Sequence, residues 1–154
     1  MSYVAAIRPD EWGLPVFLHI LGALTLIGAL ALSVAFLLAA WRGASRESLR
    51  LALRTLTLGV IPAWVVLRVS AEWIADKEGI NDIDEPPSWV EIGYIVGDAG
   101  FLLLIVVSSL LAWFAYRRSD AGASSATVRV ATVLIGLLIV LNLVALWAMT
   151  TKPA

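Results

Sequence analysis

Four apolar stretches, about 14–41, 49–75, 88–116 and 128–149, alternate with short polar segments along the chain. Each is long enough to cross a hydrocarbon core of roughly 30 Å, which takes about 20 helical residues. The pattern predicts an all-α polytopic membrane protein, a four-transmembrane-helix bundle forming a single integral membrane domain over residues 1–154. The apolar runs are interrupted at His19, Arg68, Glu72, Asp98 and Asn142. Polar groups at membrane depth are costly and are functional candidates by default.

Local signals refine the elements. Pro62, three residues after Gly59, lies inside the second stretch and is expected to kink it, because proline removes a helical hydrogen bond. Ser88 precedes Glu91 by three residues, a capping-box spacing, and Thr127 is placed to cap the fourth helix. Gly93, Gly97 and Gly100 read as a face for close packing against another helix. Glu91, Tyr94 and Asp98 fall on the other side, because residues three, four and seven apart share a helix face.

Composition narrows the class. With 60% hydrophobic residues and a mean hydropathy of +0.90, the chain is too apolar for an ordinary soluble domain. The net charge of −1 offers no basic field, so nucleic acid is not an expected partner. There is no cysteine, hence no disulfide or thiolate metal site. Asp10 and Glu11 precede the first stretch, which is also too long for a signal-peptide core.

Charge sets the expected orientation. Arg42, Arg46, Arg50 and Arg54 follow the first stretch, and Arg117, Arg118 and Arg129 flank the turn after the third. Short loops rich in arginine stay in the cytoplasm. The termini and the acidic loop 76–87 are then expected outside a bacterial-type plasma membrane. Trp12, Trp73, Trp89 and Trp147 fall at the outer boundary, and Trp41 and Trp113 near the inner one, as interfacial belts do.

This orientation gathers the polar residues in the outer half. At about 1.5 Å per residue, Asp98 lies roughly 15 Å below the start of its helix. His19, Arg68, Glu72 and Asn142 sit between about one and three turns deep on the same reckoning. The inner half offers only hydroxyls, such as Ser33, Thr55, Ser108 and Thr132. The expectation is an outward-facing polar pocket above an apolar plug. Arg68 needs a carboxylate at this depth; Asp98 on a neighbouring helix is the expected partner, with Glu72 four residues along its own helix.

Each residue also has a structural reading. Arg68, Glu72 and Asp98 could form an ion network that only fixes helix register. Glu91 reads as a cap, and Asn142 as an interhelical hydrogen-bonding group. His19 could snorkel at the interface or act as a ligand or proton-transfer group. The acidic loop lacks EF-hand spacing. No catalytic triad order, zinc motif or phosphate loop is present, so the chain is not expected to be an enzyme.

The segment Leu18-His19-Ile20-Leu21-Gly22-Ala23, followed by Ile27-Gly28, resembles the first helix of bacterial CopD-like four-helix membrane proteins. The resemblance implies that His19 faces a metal or haem. It departs from that group where Leu26 stands in place of a tryptophan, and in having one histidine with Met1 and Met149 as the only methionines. Copper prefers several imidazole or sulfur ligands. Bis-histidine haem would need two copies of His19, and therefore a homodimer. The sequence thus leaves two readings open: an outer pocket for a small ligand, ion, proton or haem, or a non-catalytic structural or assembly protein whose charges fix packing. The lipid bilayer is the expected partner in both, and both accommodate a homodimer or another membrane protein.

Overall fold

The computed structural model describes residues 13–43, 45–82, 87–117 and 125–151. Helix α1 spans Gly13–Gly43, α2 Arg46–Thr55 and α3 Ile61–Glu78, with a π-helical segment, Leu56–Val60, between α2 and α3. A 3₁₀ turn follows at Ile80–Asp82. Then come α4 (Ser88–Tyr94), a second π-helical segment (Ile95–Gly100), α5 (Phe101–Arg117) and α6 (Ser125–Thr151). Neither π segment breaks its helix, so the described residues form four continuous helical runs: 13–43, 46–78, 88–117 and 125–151. No strand occurs among them.

Three of these helices are long and apolar enough to cross a membrane: Gly13–Gly43, Arg46–Glu78 and Ala126–Thr151. A further apolar helical stretch, Ile105–Phe114, lies in the run 88–117. Large apolar side chains such as Leu24, Leu58, Val69, Val133 and Val140 point outward. So much exposed apolar surface is uncommon on a soluble monomer and suits a hydrocarbon surround.

Helix α1 is central, packing against α2, α3 and α6. Its buried positions are Pro15, Gly22, Leu26, Leu30, Ser33, Leu37 and Ala40. Beyond Gly22 they recur at intervals of three and four, the spacing of a knobs-into-holes seam. Gly22 lets α3 come close: a Cβ there would lie 2.9 Å from the Leu67 backbone nitrogen. Gly59 does the same more loosely, its Cβ position being 3.3 Å from the Ala29 methyl.

The helix ends and interruptions correct several expectations. Pro62 lies in the first turn of α3, within a continuous helical run. The ladder just before it widens, with the Ile61 N–H reaching back five residues to the Leu56 carbonyl. Such single-turn π segments absorb a local misfit without ending a helix. Ser88 is the first residue of α4 rather than its cap, and the flanking Pro87 offers its carbonyl to Val90 and Glu91 N–H. No capping box forms. Helix α6 begins at Ser125, two residues ahead of Thr127. Ser45 caps α2 through Ser48 N–H, and Gly79 ends α3 in the left-handed conformation, φ 68°. Arg8, Asp10, Glu11, Trp12, Asp84, Glu85, Arg118 and Asp120 lie outside the described residues.

The two ends of the bundle differ. At one end Leu30, Leu37, Leu49, Leu56, Ile105, Val128 and Ile135 fill the interior. Arginines cover aromatic rings there: Arg129 over Trp41 at 5.0 Å, Arg46 over Tyr116 at 5.0 Å and Arg117 over Trp113 at 4.6 Å. Helix α2 packs against α5 at this end. Toward the other end α3 keeps its backbone packing with α1, and α4 packs against α6. Between α3 and α4 the contact is made by side chains, and a cavity opens.

Candidate functional site

Three residues one turn apart on α3, Trp64, Arg68 and Glu72, face the run from Tyr94 to Phe101. Arg68 holds Asp98 in a two-point bridge, Nε to Oδ1 at 2.6 Å and Nη2 to Oδ2 at 3.0 Å. Its Nη1 pairs with Glu72 Oε1 along the same helix. The Tyr94 ring lies beneath the guanidinium at 4.8 Å. This arrangement uses the flat fork of arginine, which a lysine ammonium could not match. Arg68 side-chain exposure is 26%, against 38% for Asp98 and 43% for Glu72. The carboxylates therefore stand at the outer side of the seam, with the guanidinium beneath them.

Below the bridge, Trp64 Nε1 donates to the Gly97 carbonyl at 2.7 Å. Its ring stacks on Phe101 with centroids 5.1 Å apart and planes within 1°. Gly97 and Asp98 both lie in the second π segment, where the Phe101 N–H reaches back to Val96. Bulges of this kind often mark functional sites, because they turn backbone groups away from the regular ladder.

The cavity has a volume of about 310 Å³ and is walled by all four helical runs. Val16, His19, Ala23 and Ile27 come from α1; Trp64, Leu67 and Arg68 from α3; Tyr94 and Gly97 from the third run; Asn142, Ala145 and Met149 from α6. Glu78, Ile80 and Trp89 stand at the loop end. Apolar walls with a few converging polar groups are the usual make-up of a small-molecule site, and this volume is at the small end of the range.

Of the five residues singled out from sequence, His19, Arg68 and Asn142 line this cavity, while Glu72 and Asp98 hold Arg68 from outside it. His19 faces inward, beside the backbone of Leu67. Its Nδ1 is buried without a hydrogen-bond partner. Asn142 does not bridge helices: its Nδ2 donates to Leu138 on its own helix at 2.9 Å. Buried Ser33, Ser70 and Thr132 do likewise, each bonding a carbonyl four residues back. Bonds of this kind satisfy the side-chain hydroxyls without tying helices together.

The glycine reading changes as well. A Cβ on Gly97 would meet nothing within 4 Å, and one on Gly93 would meet only the tip of Met149. These glycines open space for the cavity instead of seating a helix backbone. Trp89, Glu78 and the Gly97 carbonyl were missed from sequence. Trp64 shares a four-residue spacing with Arg68 and Glu72 in the sequence, whereas a carbonyl carries no sequence signal.

No family model, curated protein or solved structure matches this chain. The metal and haem expectations attached to the CopD-like resemblance can be tested on the cavity's own donors. Among the described residues no three of His, Cys, Asp and Glu gather as a metal-binding group. His19 and Met149 share the cavity, but one imidazole and one thioether do not make a copper site. For haem the cavity offers His19 as its one imidazole, with Met149 folded over Gly93.

Proposed function

We propose that this chain is a four-span protein of a bacterial-type plasma membrane, one domain with both termini outside. Its outward-opening pocket binds a small molecule. The third helical run supplies the fourth span, its mid-membrane carboxylate neutralised by Arg68. The observation that carries this reading is the cavity itself. It is confined to one end of the bundle, bounded below by the Trp64–Phe101 stack and by a filled core. A closed floor argues for binding over free passage, since a conduction path runs the length of the bundle. The bound molecule is not chemically altered in this reading.

A second reading draws support from the bridge. Arg68–Asp98 ties two helices whose backbones otherwise stand apart in this region. That suits a structural latch. The two roles are compatible when Arg68, Glu72 and Asp98 hold the wall and His19 and Asn142 face the occupant.

The test uses an uncharged probe, neopentylbenzene, and the purified protein in detergent. The probe should raise the unfolding temperature of the wild type. Gly97→Leu, which fills the cavity from a position with free space at Cβ, should remove that rise while folding normally. An equal rise in both proteins would contradict a pocket at this place.

A further inference from the structure

We infer that the occupant of this cavity is an apolar organic monocation, of the quaternary or tertiary ammonium class; the inference rests on the pocket reading above and adds the charge. Three features carry it. The first is the aromatic wall: Trp64, Tyr94 and Trp89 all border the space, although Arg68 covers one face of Tyr94 and Phe101 one face of Trp64. Ring faces attract cations, tryptophan most strongly, and aromatic walls are the usual receptor for alkylammonium groups. The second is the charge of the wall. Among the described residues Arg68 is the one fixed cation lining the cavity, and it is claimed by two carboxylates, Asp98 and Glu72. That trio carries one surplus negative charge. An anionic ligand would have to displace a two-point bridge to reach the guanidinium.

The third feature is the mouth. Glu78 lines the cavity at its loop end and has no ion-pair partner among the described residues. Asp76 and Asp82 flank it, with Lys77 the one base of that stretch. A low-dielectric recess rimmed by one sign of charge concentrates ligands of the opposite sign. The walls select apolar bulk and the rim selects positive charge. Among the described residues that line the cavity, no arginine or lysine is left uncommitted for an acid.

The test compares three probes of nearly one shape: benzyltrimethylammonium, its uncharged carbon isostere neopentylbenzene, and phenylmethanesulfonate. Binding is read by titration calorimetry on the full-length protein in one detergent. The cation should bind at least about tenfold more tightly than the neutral isostere, the size of a desolvated cation–π contact. The sulfonate should bind weakest. Glu78→Gln should reduce cation affinity by about three- to fivefold, as expected for an exposed charge, and leave the neutral probe unchanged. Trp89→Leu should narrow the gap between cation and isostere. Equal binding of cation and isostere would overturn the charge assignment while leaving the pocket reading intact. Preference for the sulfonate would overturn it and make Arg68 the reading group. If no probe binds, and Gly97→Leu behaves as wild type, both readings fall.

Discussion

Arg68 stands on two surfaces at once: it lines the cavity, yet its charge is held by carboxylates on the outer side of the seam. Its removal should therefore affect both stability and binding, whereas loss of Asp98 leaves an arginine without its two-point partner. Asp98→Asn should cost about 1–3 kcal/mol, below the figure for fully enclosed pairs because both groups are part exposed. In a double-mutant cycle with Arg68→Met, measured by detergent melting, the combined loss should be clearly smaller than the sum. Simple additivity would mean that the bridge contributes nothing. Trp64→Phe keeps the stack on Phe101 but deletes the Nε1 donor to Gly97. It should cost about 1 kcal/mol, one net hydrogen bond.

Among the elements, two glycines of α1 make a matched pair. A Cβ at Gly22 would press into the Leu67 backbone, which cannot rotate aside as a side chain can. At Gly28 it would meet nothing. Gly22→Ala should lower the melting temperature; Gly28→Ala should raise it slightly, by the roughly 0.5–1 kcal/mol that alanine gains over glycine in a helix. The reverse order would show that α1 and α3 pack through a different face. Sequence revealed the helices within a few residues at most ends, because each run is a long apolar block. It also revealed the Arg68–Asp98 pair, because an unpaired charge at that depth is so costly. It did not reveal which side of each helix is buried. Outward-facing Leu24 and core-facing Leu26 are equally apolar, so the amphipathic signal that marks a core face in water is absent here. The π segments were hidden for a related reason. Gly97 looked like a packing glycine because regular 3.6-residue winding was assumed through a stretch that winds differently.

At the scale of the whole molecule, one end of the bundle is sealed by apolar packing and arginine–aromatic contacts, and the other is held open by a polar bridge. In the orientation proposed above, the sealed end lies inward and the cavity outward. The chain has no cysteine, so single cysteines can report this without background. The most direct measurement is labelling of Gly97→Cys in intact cells with a membrane-impermeant maleimide, beside Ser33→Cys in the sealed half, where the native side chain is fully buried. The account predicts that Gly97→Cys reacts from outside and Ser33→Cys does not. Protection of Gly97→Cys in intact cells, with reaction only once the inner face is exposed, would contradict an outward-opening pocket.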